Sequence, residues 1–563
     1  MRSKRRPGQS IETCFGGSSA DSCIGGIDRS RSSVEPFARR VGRSSGASRI
    51  NIQTPDGPAR VSEYHSEHFL HPRRVQGQVR GNAKRPLRVM KFGGTSVGDA
   101  SCILKVVEII RSASHDSDVV VVVSAMGGVT NKLVEAALES EKGDLKLVAT
   151  ILEELRKQHD AVTSELIHSA TERKCMDRKI QEIFQDAASL CQGTSLLREL
   201  TLRTRDSISS LGECLAAPLV AAALSDCGVA SEAIDASEVV VTDSCHGAAE
   251  PFMDLTRERC HARVLPLLRQ GIVPILTGFI GATVDGVVTT LGRNGSDYSA
   301  TILGAALDAD EVIIWSDVDG VLTVDPRLVS GVRRIPEISY REAAELAYFG
   351  AKVLHPKTLR PLIQSGIPIW IRNTFAPERP GTKITPTVSS NDGGVKALTA
   401  IADAALITVG GPGMLGVPDV LGRTFKTAAA VQANVLLSSQ SSSQNDICLV
   451  VLSAVAERTV EALRREFAQD LVHEKVEHIT VNSNVAIVAL VGENMRGVSG
   501  IVARTFGALD RDNLNIIAIT QGSSGCSISF VVARKDMKAT LTTTHQELQL
   551  GAPHPQALPA ASD

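Results

Sequence analysis

At 563 residues the chain is about four times the length of a modal domain and should fold as two or three units, each with its own core. Sixty Lys and Arg against 62 Asp and Glu exclude a nucleic-acid reader or an acidic disordered chain on bulk charge, and the longest aliphatic run, Val119 to Val123, falls far short of a bilayer, so no nucleic acid and no membrane is expected as a partner. Eleven cysteines, odd in number and without a Cys-x-x-Cys pair, fit neither a disulfide framework nor a zinc ligand set, which favours a reducing compartment.

Residues 1–85 hold 16 Lys and Arg against 7 Asp and Glu, are rich in Ser and Gly, and show no sustained apolar period. Such a segment buries too little surface to offset chain entropy, and disorder is expected. Arg- and Ser-rich, poor in acids and without a long apolar stretch, it reads as an organelle transit peptide rather than a secretory signal, with an ordinary flexible tail as the alternative. From Leu87 onward short aliphatic runs alternate with helical periods, the pattern of an α/β domain with a mainly parallel sheet. Strands are expected at 87–92, 119–124, 273–278 and 311–316. Between the first two, Ile103, Leu104, Val107 and Ile110 recur at helical spacing behind Asp99, a natural cap, which makes a βαβ unit. The charged stretch 142–202 reads as a pair of long amphipathic helices.

A third region, about 395–550, repeats itself at an offset of 81 residues. Arg423-Thr424-Phe425 recurs as Arg504-Thr505-Phe506, and Asn434-Val435-Leu436 with Gln440-Ser441-Ser442-Ser443 recurs as Asn515-Ile516-Ile517 with Gln521-Gly522-Ser523-Ser524. Each copy reads as a small βαββαβ unit. The stretch 551–563, rich in Pro and Ala, is expected to be a flexible tail.

Several strand ends carry chemistry-bearing residues. In Lys91-Phe92-Gly93-Gly94-Thr95-Ser96, glycines let backbone N–H groups approach an anion, and a helix start and the lysine add positive charge. The string is not a Walker-type loop, and a plain tight turn stays open as the alternative. Ser124-Ala125-Met126-Gly127-Gly128-Val129-Thr130 ends the neighbouring strand in the same way, so both turns should meet at one carboxyl edge. In Leu291-Gly292-Arg293-Asn294-Gly295-Ser296-Asp297-Tyr298-Ser299, Arg293 offers a fork for a carboxylate, and Asp297 could orient Lys91 or a metal. Gly212-Glu213 opens an apolar helix, where a lone Glu also suits the helix dipole. Further on stand Ser316-Asp317-Val318-Asp319-Gly320-Val321, Asp325-Pro326-Arg327 and Phe349-Gly350-Ala351-Lys352-Val353-Leu354-His355-Pro356. Position 328 is Leu where a calcium loop needs Glu, so calcium is rejected, and no metal-ligand set is expected. His355, ahead of a proline, reads as structural.

Together these strings resemble aspartate kinase, in the family's order and spacing from about Leu87 to Leu550, and look most like the kinase half of bifunctional aspartate kinase/homoserine dehydrogenase. No dinucleotide fingerprint follows Thr544-His545-Gln546, so the resemblance does not extend to the dehydrogenase. It implies an α/β amino-acid kinase fold, a mainly parallel central sheet with helices on both faces, at 86–390. Two ACT-like βαββαβ regulatory units at 395–550 would follow. It implies ATP with Mg2+ phosphorylating the side-chain carboxylate of L-aspartate in a plastid (chloroplast) stroma, or otherwise in the cytoplasm, with no tightly held cofactor. Lys91 and Asp297 fall at catalytic positions, and Ser124, Thr130, Glu213, Arg293 and Ser296 at aspartate-binding ones. Lys91, Gly93, Gly94, Ser316, Asp317, Arg327 and Lys352 fall at ATP-binding positions. Gln440 and Gln521 match effector positions for threonine or lysine, and ACT pairs imply a homodimer or homotetramer. Leu322 and Leu211 depart from the family, which often carries Tyr near the adenine and Arg or His before Gly-Glu. The competing readings are a kinase of another small carboxylate and a catalytically weak amino-acid sensor.

Overall fold

The structure is a computed structural model that describes residues 85–351, 354–388, 394–411, 418–441, 446–495, 498–522 and 525–551. Residues 1–84 and 552–563, and with them nearly all of both expected tails, lie outside the described residues, as does Lys352.

The chain opens with β1 (Leu87–Phe92), α1 (Ala100–Ala113) and β2 (Asp118–Val123), the expected βαβ unit. The Asp99 carboxylate accepts from the Cys102 N–H and caps α1. The run Val119–Val123 is unbroken because both its faces are covered. Val119, Val121 and Val123 face one helical layer and Val120 and Val122 the other. Each such buried side chain stabilises the fold by roughly 1.5–3 kcal/mol.

Then come α2 (Val129–Lys142), α3 (Leu145–Leu166), α4 (Ala170–Leu197), α5 (Leu202–Ser209) and α6 (Leu211–Asp226). α3 and α4 are the two long helices expected over 142–202. The stretch Leu202–Asp226 is long and apolar enough to cross a membrane by composition alone, yet it is two helices, and 78% of its apolar window is buried inside the protein. α6 is apolar all round because it is a core helix.

The domain continues with β3 (Ser231–Ile234), α7 (Met253–Arg263), α8 (Leu265–Arg269), β4 (Val273–Thr277), the hairpin of β5 (Ile280–Ala282) and β6 (Val288–Thr290), and α9 (Gly295–Ala306). It is completed by β7 (Glu311–Ser316), β8 (Glu337–Ser339), α10 (Tyr340–Tyr348), α11 (Pro356–Ile363), β9 (Ile369–Asn373) and β10 (Thr382–Thr385). Eight strands form one sheet in the order β3-β4-β2-β1-β7-β9-β10-β8, parallel at every pairing except β9 with β10. Helices α1 to α4 and α6 pack on one face, and α7 to α11 on the other.

The second sheet begins with β11 (Ala397–Gly410), α12 (Pro418–Ala430), β12 (Leu437–Gln440), β13 (Asp446–Leu452), α13 (Ser453–Glu466) and α14 (Ala468–Val472). It ends with β14 (His478–Val491), α15 (Ile501–Arg511), β15 (Ile516–Gln521), β16 (Ser527–Ala533) and α16 (Met537–Glu547). The strand order is β12-β13-β11-β14-β16-β15, antiparallel throughout. The two 14-residue strands are shared. The first copy closes on the start of β14, where Thr408 pairs with Thr480, and the second closes on the start of β11, where Ala397 pairs with Val491.

Candidate active site

β1, β2 and β4 run parallel and in register, Phe92 beside Val123 and Val123 beside Thr277, so the turns after all three open at one edge. The β5–β6 hairpin then delivers residues 291–294 and the first turn of α9 to that edge, with the Leu291 N–H donating to the Phe279 carbonyl oxygen at 2.9 Å. Packing here leaves no room for side chains. A Cβ on Gly94 would stand 2.9 Å from the Ala125 carbonyl oxygen, and one on Gly212 2.7 Å from Ala125 Cβ. Gly212 thereby lets α6 start directly beneath the β2 turn, which carries Glu213 inward.

The result is an open cleft of ≈ 530 Å³. Lys91, from β1, and Asp297, from the first turn of α9, form an ion pair there through Nζ and Oδ1, with only 11% of either side chain exposed. Asn294, which caps α9 from a left-handed conformation, donates from Nδ2 to Asp297 Oδ2 at 3.4 Å. Ser124, Thr130, Glu213, Arg293, Ser296 and Gly94 line the same cleft. Gly93 stands just behind it: its N–H donates to the Trp315 carbonyl oxygen at 3.3 Å, and a Cβ there would lie 3.4 Å from Lys91 Nζ.

Glu213 is fully enclosed, and burial pushes its carboxyl pKa up to about 8, against the opposing pull of the Ala125 backbone N–H, its own N–H and the Lys91 charge. Its Oε2 has no hydrogen-bond partner among the described residues. A buried carboxyl that is neutral when the cleft is empty and lacks a donor on one oxygen is set up to receive a cation.

Of the expected nucleotide residues, Lys91 and Gly94 line this cleft, whereas Ser316, Asp317 and Arg327 are not among its lining residues. Ser316 ends β7, next to β1, and its hydroxyl donates to Asp317 at 3.1 Å, so both sit on the carboxyl edge beyond Gly93. Arg327 turns outward, paired with Asp325 at 2.6 Å and 73% exposed. Leu322 bridges to Arg334, and Leu211 packs against the core beside Glu213. His355 accepts from the Lys357 N–H at 3.2 Å and caps α11; partial burial and the charges of Lys357, Arg293 and Arg360 hold its pKa below the usual value. Gln440 and Gln521 end the edge strands β12 and β15 at matching register, opposite Ile447 and Ile528, and both are exposed.

Three features of the site carried no signal that the motifs exposed. Asp206, on α5 and 1% exposed, accepts from Gly247 N–H at 2.9 Å, from Thr290 N–H and hydroxyl at 3.2 and 2.6 Å, and from His246 Nδ1 at 3.0 Å. It thus ties α5 to the strand that leads into Arg293. Phe279 lines the cleft with φ +68°, an uncommon conformation for an aromatic residue, held where Ser299 Oγ accepts from its N–H at 2.9 Å. Glu250 accepts from the Tyr298 hydroxyl at 3.0 Å and pairs with Lys357 at 3.2 Å, bracing the outside of α9.

Residues 86–373 match the profile of the amino acid kinase family, and residues 407–467 and 488–548 that of the ACT domain. The chain is 34% identical over 475 residues to a bifunctional aspartokinase/homoserine dehydrogenase of Haemophilus influenzae, covering 82% of this chain and 56% of that protein. To aspartokinase 1, chloroplastic, of Arabidopsis thaliana it is 33% identical over 470 residues, 81% of this chain and 79% of that protein. Among solved structures, E. coli aspartokinase III in complex with aspartate and ADP (R-state) is similar with a TM-score of 0.69 at 31% identity, covering 82% of this chain and 100% of that one. The chain spans about half the length of the bifunctional relatives it matches.

Proposed function

The chain belongs to the amino acid kinase family, in its aspartokinase branch with ACT domains, and on that premise we propose that it transfers the γ-phosphate of ATP to the side-chain carboxylate of L-aspartate, giving 4-phospho-L-aspartate. The observation that carries this reading is the Lys91–Asp297 pair set in one cleft between Glu213 and Arg293. A carboxylate must approach a polyanionic phosphate, so the protein's task is to hold two anions together and neutralise charge as it spreads over the transferring group. Lys91 supplies the positive charge at the phosphoryl oxygens, and Asp297 fixes the ammonium in place. Arg293 takes the α-carboxylate as a fork, and Glu213 gives up its proton to take the ammonium. Ser124, Thr130 and Ser296 offer hydroxyls along the substrate, and Gly94 offers close backbone approach. This set reads both charges of an amino acid.

Ser316, Asp317, Arg327 and Lys352 belong to the nucleotide in this reading, with Arg327 swinging from Asp325 towards phosphate. The Mg2+ arrives with ATP. Asp297 is the cleft carboxylate that would stand near it.

Threonine or lysine is the proposed effector, bound near Gln440 and Gln521; E. coli aspartokinase III, a structural relative, has been solved with lysine and aspartate in a T-state. The edge strand β15 leaves Ile517 and Ile519 39% and 46% exposed, which favours self-association through this sheet into a dimer or tetramer. Several relatives are chloroplastic proteins, and the basic, Ser-rich segment 1–85 supports the same plastid location here.

Trapping the product with hydroxylamine tests the proposal. Offered L-aspartate, L-glutamate and N-acetyl-L-glutamate in turn with MgATP, the protein should form hydroxamate with L-aspartate. Turnover of glutamate or acetylglutamate instead would transfer the site to another carboxylate, and binding without turnover would leave an amino-acid sensor.

A further inference from the structure

A second cavity, also of ≈ 530 Å³, opens on the sheet face beside α1 and shares no lining residue with the catalytic cleft. Its floor is apolar: Met90, Ile109, Ile313 and Trp315 are each at most 8% exposed, and Trp315 stacks on Phe92 at 6.0 Å. The wall from β9 is a cation. Arg372 lies over the rings of both Trp315 and Trp370, 5.9 and 5.1 Å from their centroids. It is half-buried, and no carboxylate among the described residues comes within 4.0 Å of it. Its Nε is buried without a hydrogen-bond partner among the described residues. Burial, reinforced by the Arg88 charge, lowers its pKa, and Glu311, the carboxylate opposing that effect, is already paired with Arg88 at 2.7 Å. A second cation, Lys105 on α1, lies 4.9 Å from the centroid of Phe375 on the same rim.

A desolvated guanidinium costs free energy unless an anion meets it, and its planar fork matches a carboxylate. Arg88, Glu108, Asp116 and Glu311 line other parts of the wall, and Arg88 pairs with both Asp116 and Glu311, which leaves Arg372 and Lys105 facing an apolar floor that a bare inorganic anion would leave unfilled and an apolar-bodied carboxylate would cover. We propose that this cavity is a ligand site separate from the catalytic cleft, taking a small monocarboxylate with a flat or branched apolar body, its carboxylate on Arg372 and Lys105 and its body over Trp315.

The protein carries its own reporter, since its two tryptophans, Trp315 and Trp370, both flank Arg372. Titrating the full chain with phenylacetate, and in parallel with its neutral isostere phenylacetamide, should give a saturable change in tryptophan emission with the acid and a response at least about ten-fold weaker with the amide. Arg372→Gln should weaken the acid by a similar factor while ATP-dependent turnover is kept. Lys105→Gln, on an exposed helical position, should weaken it several-fold and serves if the first variant does not fold. The response must persist with MgADP at saturation. Equal responses to acid and amide, no saturation, indifference to both substitutions, or loss of the response with MgADP would each overturn the proposal, the last by assigning the cavity to the nucleotide. None of these outcomes depends on aspartate turnover, so they are distinguishable from failure of the kinase reading.

Discussion

At the scale of single residues, Glu213 makes a prediction with a sign. Its pKa is about 8 in the fold against an ordinary value of 4.5, so between those pH values the folded chain holds one proton more than the unfolded chain. The stability this confers is complete below pH 4.5 and is lost as pH rises through about 8. Denaturation of Glu213→Gln across that window should show a flatter pH dependence than the parent protein. Aspartate binding runs the other way: the substrate ammonium needs the ionised carboxylate, so KM for aspartate should fall as pH approaches 8, and this dependence should vanish in Glu213→Gln. A parallel pH profile in the variant would remove Glu213 from the ammonium site. Lys91, Arg293 and Asp297 were legible in the sequence because each sits in a short string whose glycines announce a turn. Asp206 was not, since its partners at 246, 247 and 290 lie 40 to 84 residues away and two of the donors are backbone N–H groups without a side-chain signature.

At the scale of elements, Asp206 shows how α5 holds the strand leading into Arg293. Asp206→Ala would strand the buried donors of Thr290 and the part-buried ones of Gly247 and His246, at about 1–3 kcal/mol for each buried donor. Thermal melts should therefore show a loss of more than about 3 kcal/mol, with a rise in KM for aspartate larger than any fall in kcat; a melt within 1 °C of the parent would contradict the role. The four parallel strands expected, β1, β2, β4 and β7, were legible to within a residue because burial on both faces writes them as aliphatic runs, as in Val119–Val123, whereas the shorter β3, β8 and β9 were not singled out. The repeat gave the order of elements in the second sheet but not the sharing of β11 and β14. Nothing in Ala397–Ile401 marks it as the closing strand of the other copy, because strand partners are a property of packing across about 90 residues.

At the scale of the whole molecule, the two sheets are joined through a few buried polar groups. Glu342, at the start of α10 with its side chain 1% exposed, accepts from Ser339 N–H at 2.8 Å, pairs with Lys396 at 2.9 Å and accepts from Glu493 N–H at 2.7 Å. One carboxylate thus binds the kinase layer to Lys396, just before β11, and to Glu493, just after β14. The segment that follows Ser316 and Asp317 goes further, placing Val324 and Val329 in the core of the second ACT copy, with the Thr323 hydroxyl 3.0 Å from His545 Nε2. Packed side chains thus connect the ACT sheet to the segment after β7, the route by which the proposed effector would act on the proposed nucleotide residues. Glu342→Gln should keep turnover without effector and raise the half-inhibiting concentration of threonine or lysine about 5-fold or more. An unchanged inhibition curve would take Glu342 out of the coupling.

The account rests most heavily on Lys91 absorbing the charge of the transferred phosphoryl group inside the cleft it shares with Asp297. Its most direct test is the hydroxamate rate of Lys91→Ala at saturating MgATP and L-aspartate, with folding checked by circular dichroism. Turnover reduced by about 10²-fold or more in a folded protein is the predicted result. Turnover within a few-fold of the parent would contradict it.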